Sequence, residues 1–173
     1  MDINLLIKQA KGGDKKALLS LIIAQQAEFY KLAYVYMKNE HDALDALQDM
    51  IVIVYDNISK LQKDHAFYSW SKTILVNVCK GKLKNNKKLI PLEDIKEQSI
   101  DGIYDNPEDR IVLDRYMSKI SEKHQEVIKL RYYMDYDYET ISQILKIPLG
   151  TVKSRINAGM KSLKEVLGGE YIG

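Results

Sequence analysis

The sequence predicts an all-α protein of two small helical domains joined by a flexible linker. Three observations carry this. Apolar residues recur at three- and four-residue spacing along most of the chain, and no stretch sustains the strict alternation that a half-buried strand needs. Only three prolines, Pro91, Pro107 and Pro148, interrupt the 173 residues, so little stands in the way of long helices. Residues 91–107 are acidic, weakly periodic and bounded by two of those prolines, the composition of a linker rather than of a core. The domains are therefore expected at 1–90 and 108–173, with 91–107 between them.

In the first domain, Gly12-Gly13-Asp14 ends a short helix and offers Asp14 as the N-cap of the next. Ala17, Leu18, Leu21, Ile22, Leu32 and Tyr36 carry that second helix to about Met37. The polar stretch Asn39 to Asp42 restarts the chain. A third helix then places Ala43, Ala46, Leu47, Met50 and Val54 on one stripe and leaves Asp45, Gln48 and Asp49 on the other side. A fourth runs through Trp70, Ile74 and Val78 into a lysine-rich run. Phe67, Tyr68 and Trp70 could stack on bases, but aromatics at helical spacing are usually core, and Trp70 is expected to be buried.

The second domain reads as helices over Ile111 to Ile120, Gln125 to Tyr133, Tyr138 to Leu145 and about Gly150 to Leu167. The turn Lys146-Ile147-Pro148-Leu149 separates the last two, and Gly168-Gly169 should end the last.

Charge is segregated, so the formal net charge of +2 is a poor guide to partners. Asn39 to Asp56 holds five acids and no Lys or Arg, and His65 to Leu92 holds six lysines and no acid. Glu93 to Asp109 holds seven acids and one lysine, and Thr140 to Lys164 holds five basic residues and no acid. Two basic blocks beside acidic ones suggest two polyanion-binding surfaces and separate faces for another partner, although ordinary solvated helix faces would give the same pattern. The single cysteine, Cys79, excludes a disulfide framework and a Cys-rich metal site. His41, His65 and His124 lack ligand spacing, so neither metal nor cofactor is expected. No phosphate-cradling glycine loop or nucleophile motif argues for an enzyme. With no signal-peptide pattern and no membrane-length apolar run, the chain is expected to be soluble, cytoplasmic and free of direct membrane insertion.

The most informative segment is Tyr138 to Leu163, an eight-residue helix, a tight turn and a longer helix. Val152, Ile156, Gly159 and Leu163 form a stripe that can pack against Ile141 and Ile144. The opposite face carries Lys153, Ser154, Asn157 and Lys161, with Thr151 and Arg155 at its edges. Short polar and basic side chains suit a helix in the major groove, where Lys and Arg neutralise phosphate and Ser and Asn can read base edges. Arg155 could equally brace the motif. Gly159 should cost this helix about 1 kcal/mol relative to Ala, as should Gly81 in the basic helix.

Ile147-Pro148-Leu149-Gly150-Thr151-Val152-Lys153-Ser154-Arg155 resembles the −35-reading signature of extracytoplasmic-function sigma factors, the small members of the sigma-70 family of RNA polymerase factors. Ile120-Ser121-Glu122-Lys123-His124-Gln125-Glu126-Val127-Ile128 resembles the start of the same domain, with Ser121 in place of a proline. Gly13-Asp14-Lys15-Lys16-Ala17, Asp42-Ala43-Leu44-Asp45-Ala46-Leu47-Gln48-Asp49 and Phe67-Tyr68-Ser69-Trp70 with Asn77 are similar to motifs of the first domain, in the family's order, and Tyr55 falls where a later aromatic does. A pair of arginines common after the −35 signature is replaced by Asn157-Ala158-Gly159-Met160, which implies fewer phosphate contacts.

The resemblance implies a non-enzymatic initiation factor with sigma region 2 in the first domain and region 4 in the second. It implies that Asp45, Gln48 and Asp49 meet core RNA polymerase, and that Asn77, Lys80, Lys84, Lys87 and Lys88 hold the −10 element of promoter DNA. Thr151, Lys153, Ser154, Arg155, Asn157 and Lys161 would then meet the −35 element. A membrane-anchored anti-sigma factor and a role in cell-envelope stress are further implications. Two alternatives fit parts of the sequence: a stand-alone helix-turn-helix regulator whose first domain binds a ligand or dimerises, and an all-helical adaptor that binds no nucleic acid.

Overall fold

A computed structural model describes residues 1–89 and 114–171, with the side chains of 87–89 and 169–171 outside the described set. Among the described residues there is no strand, and the fold is all-α. The chain divides into two compact units, Met1–Glu97 and Gln98–Gly173. The expected linker at 91–107 lies outside the described residues.

The first unit holds α1 (Ile3–Lys11), α2 (Lys15–Ala24), α3 (Gln26–Met37), α4 (Glu40–Asn57) and α5 (Phe67–Leu89). Two short 3-10 turns, Ile58–Lys60 and Asp64–Ala66, separate the last two. Capping explains most starts. Asp14 Oδ1 accepts from the backbone N–H of Lys16 at 3.0 Å and of Ala17 at 3.2 Å, and Asn39 Oδ1 accepts from Asp42 N at 2.8 Å. Each satisfies an N–H that the helix itself leaves orphaned.

The expected single helix from Asp14 to Met37 is two. Gln25 leaves helical geometry at φ −123° and ψ 29°, and serves as both the C-cap of α2 and the N-cap of α3. On either side of the break, Leu18, Leu21 and Ile22 of α2 and Phe29, Leu32 and Ala33 of α3 are all buried.

Helices α3, α4 and α5 pack on one another to form the core. The expected α4 stripe of Ala43, Ala46, Leu47, Met50 and Val54 is buried there, along with Leu75, Val76 and Cys79 of α5. Phe67 is buried at the start of α5, and Tyr68 Oη donates to Leu21 O at 3.0 Å, tying α5 to α2. Trp70 is only half-buried, its ring 6.3 Å from that of Phe67. The core place expected for Trp70 belongs to Phe67. Lys11 reaches across to the α4–α5 connection, donating to Leu61 O at 2.7 Å and Asp64 Oδ1 at 2.9 Å.

In the second unit residues 114–117 are helical, followed by α6 (Glu122–Tyr132), α7 (Tyr138–Leu145) and α8 (Leu149–Tyr171). Tyr116, Met117, Ile120, Ile128 and Leu163 form one apolar cluster, with Met160, Val166 and Leu167 against it. Gly168-Gly169 does not end α8, which runs to Tyr171. Glycine tolerates helix as well as left-handed geometry, and a pair near a terminus is only a statistical stop signal.

Candidate nucleic-acid and protein interfaces

The second unit contains the helix-turn-helix. Asp137 caps α7, its Oδ1 accepting from Thr140 N at 2.7 Å, and hydrogen bonds from Thr140 hold the carboxyl below the usual range. α7 ends at Lys146, in left-handed geometry at φ 54°. Ser142 Oγ donates to Ile147 O at 2.6 Å and fixes the turn. Pro148 stands immediately before α8, where its missing N–H costs nothing. Arg131 closes the preceding turn. Its Nη1 donates to Tyr136 O at 3.2 Å, and the guanidinium lies 5.9 and 5.6 Å from the ring centroids of Tyr132 and Tyr138.

Ile141, Ile144, Val152, Ile156 and Leu163 are buried. This leaves Lys153, Ser154, Asn157 and Lys161 exposed along α8, with Thr151 and Arg155 half-buried at the margins. Among the described residues of α8 up to Lys164 there is no acid to offset the basic groups. Gly159 joins the buried stripe but packs on α6: a Cβ built there would lie 2.8 Å from Ile128 Cδ1. Glycine at this point permits close approach of α8 to α6, which the sequence, showing only a helix penalty, does not reveal.

In the first unit, α4 turns Gln48 and Asp49 to solvent with Asp45 half-buried between turns. His41 Nδ1 lies 3.4 Å from Asp42 Oδ1 and 3.6 Å from Asp45 Oδ2. A shallow groove of mixed lining runs beside α4. Ile23 and Leu44 are exposed on its walls, Ala24, Ala27, Tyr30 and Leu47 add apolar lining, and Gln25, Gln26 and Glu28 make part of it polar. Sequence reasoning does not find this groove, because its walls come from α2, α3 and α4.

On α5, Asn77, Lys80 and Lys84 are exposed and fall on one side by their three- and four-residue spacing. The side chains of Lys87 and Lys88 lie outside the described residues. Gly81 sits between Lys80 and Lys84 with nothing within 4 Å of where a Cβ would stand. Lys82 points the other way, to α4, with Nζ 2.8 Å from Asp49 Oδ2. Lys72 likewise turns inward, bonding Glu28 Oε1 at 2.9 Å. The six lysines of the basic block are thus not one surface. Cys79 is buried in the core, and no described helix is long and apolar enough to cross a membrane.

Comparison with known proteins agrees with this arrangement. The model of Sigma-70 region 2 matches residues 21–89 and that of Sigma-70, region 4 matches residues 116–165. The ECF RNA polymerase sigma factor SigW of Bacillus subtilis is 29% identical, over 96% of this chain and 97% of that protein. The ECF RNA polymerase sigma-E factor of Haemophilus influenzae is 30% identical over 87% of each. Among solved structures, CnrH in complex with the cytosolic domain of CnrY superposes with a TM-score of 0.70 at 18% identity, covering 96% of this chain and 97% of that one. The sigma factor RpoE of Bartonella quintana, in complex with the anti-sigma factor NepR, gives 0.66 at 18% identity, covering 88% and 97%. With both sigma regions matched in order and relatives aligned nearly end to end, the chain belongs to the extracytoplasmic-function group of sigma-70 family RNA polymerase sigma factors.

Proposed function

We propose that the protein binds core RNA polymerase and directs it to promoters, with three surfaces dividing the work. Asp45, Gln48 and Asp49 on α4 meet polymerase. Carboxylates and an amide suit a basic, hydrogen-bonding partner, and the groove beside α4 supplies apolar surface at Ile23 and Leu44 for a protein to cover. Asn77, Lys80 and Lys84 on α5, continued by Lys87 and Lys88, hold the −10 element, the lysines on the backbone and Asn77 on a base. Thr151, Lys153, Ser154, Arg155, Asn157 and Lys161 on α8 meet the −35 element in the major groove.

On this reading 1–90 and 108–173 are the two working domains and 91–107 joins them. The protein contributes recognition and no chemistry. The observation that carries the proposal is the exposed face of α8: four polar or basic side chains in helical register behind a tight turn, with its opposite face buried. The match to Sigma-70 region 2 over residues 21–89 speaks against a stand-alone regulator, which leaves that half of the chain unexplained.

CnrH and the Bartonella RpoE have each been solved with a partner protein, CnrY and the anti-sigma factor NepR. An anti-sigma factor, membrane-anchored, is the corresponding partner proposed for this chain, with the protein cytoplasmic and its signal arising at the cell envelope. The test is reconstitution with core polymerase. Asp45→Lys and Asp49→Lys should each abolish binding to core while the first unit still melts cooperatively, Asp49→Lys at a slightly lower temperature because its ion pair with Lys82 is lost. Unchanged binding by both removes the α4 assignment.

A further inference from the structure

The basic block of α5 divides between two jobs. Asn77, Lys80 and Lys84 share one exposed side. Lys82 projects from the side facing α4, its Nζ 2.8 Å from Asp49 Oδ2, with 29% of its side chain exposed against 56% for Asp49. The hydrogen bond to Asp49 raises the Lys82 ammonium above its ordinary value; burial opposes this, and the charges of Asp49, Asp45 and Asp42 add to it. The lysine therefore lies in the field of the acidic face, not in the field of the basic one.

We infer that Lys82 is a positioning residue of the polymerase interface: it pins Oδ2 of Asp49 and so presents Oδ1 to a basic group of the partner. A carboxylate has about four lone-pair sites, so one ammonium on Oδ2 leaves Oδ1 able to accept from a second donor. Both groups stand on helices packed in the core, so the bond fixes the carboxylate relative to the rest of the face. Pre-organisation of this kind lowers the ordering cost at the moment of binding. The inference rests on the proposed role of Asp49.

Simple electrostatics makes the opposite prediction. A positive charge within an acidic face dilutes its attraction for a basic partner, so removing it should strengthen binding. The sign of the effect therefore decides the matter. The experiment measures core polymerase affinity of the full chain for Lys82→Met, Lys82→Arg, Asp49→Asn and the double variant Lys82→Met with Asp49→Asn. Salt-dependent binding of a −10 probe by the assembled holoenzyme is measured alongside for Lys82→Met and Lys84→Met.

Lys82→Met should weaken core binding by up to about five-fold, the scale of a partly exposed ion pair. Lys82→Arg should restore most of it, and Lys82→Met should add nothing once Asp49 is Asn. A structural defect independent of Asp49 would persist in that background, and a defect of the α4–α5 ion pair itself would show as a lower Tm in both single variants. The holoenzyme's salt slope on the probe should be unchanged by Lys82→Met and flattened by Lys84→Met. Unchanged or tighter core binding by Lys82→Met, or a slope flattened by that variant, overturns the inference. If Asp49→Asn itself leaves core binding intact, the α4 reading fails, and this inference fails with it. If Asp49→Asn weakens binding and Lys82→Met does not, only the positioning role fails.

Discussion

Gly159 of α8 sits directly against Ile128 of α6, so that a Cβ at 159 would fall 2.8 Å from Ile128 Cδ1 and 3.0 Å from His124 Cβ. Two effects of opposite sign meet here. Alanine favours helix over glycine by about 1 kcal/mol, while forcing extra atoms into a packed core costs about 1–3 kcal/mol. Ile128 and Leu163 belong to the same apolar cluster, which leaves little room to yield. Gly159→Ala should therefore lower stability by about 1 kcal/mol net, about 4–8 °C in Tm for a unit of this size. Trimming the neighbour, in Gly159→Ala with Ile128→Val, should recover part of the loss. Thermal melts of the three proteins check both statements.

Gly81 gives the opposite expectation from the same chemistry. Nothing lies within 4 Å of its Cβ direction, so an added methyl meets only solvent and the helix gain is unopposed. Gly81→Ala should stabilise the first unit by about 1 kcal/mol. Urea denaturation with an unchanged slope and a higher midpoint is the expected result.

Cys79 provides a pH-dependent probe of the first unit. Burial pushes its thiol up to about 12, against an ordinary 9.0, the Lys82 charge opposing in part. Because the folded state binds this proton more tightly than the unfolded state, the contribution to stability is complete below about pH 9. It is lost as pH rises from 9 towards 12. A thiol reagent at neutral pH should label Cys79 only at the rate of unfolding. Replacement by alanine should reduce the steepness of the alkaline stability loss. Rapid labelling of the native protein would contradict the buried placement.

The helix-turn-helix is legible in the sequence because its signals are local: Pro148, an apolar stripe and the polar residues left over. The placement of α7 at Tyr138–Leu145 follows from those alone. The acidic face of α4 is legible for the same reason, since its buried stripe is complete within one helix. What the sequence hides is non-local or lacks a breaker. Gln25 divides α2 from α3 with neither glycine nor proline to mark it. The Asp49–Lys82 pair joins residues 33 positions apart on different helices, and no pattern within either helix announces it. Gly159 reads as a cost until α6 is placed beside it. Trp70 is the core aromatic that the sequence leads one to expect in α5, and only the packing of α5 puts Phe67 there instead.

Promoter selection for core RNA polymerase through the exposed face of α8 is tested most directly by run-off transcription with purified core polymerase and a pool of templates carrying randomised −35 elements. The wild-type chain should enrich a defined −35 sequence. Ser154→Ala or Asn157→Ala should change the preferred bases, at about 1–3 kcal/mol for each base-edge hydrogen-bonding pair removed. Lys153→Ala should weaken all templates alike and flatten the salt dependence by about one unit of slope. Absence of promoter-directed transcripts with the wild-type chain, or an unaltered −35 preference and salt slope in all three variants with normal melts, would contradict the account.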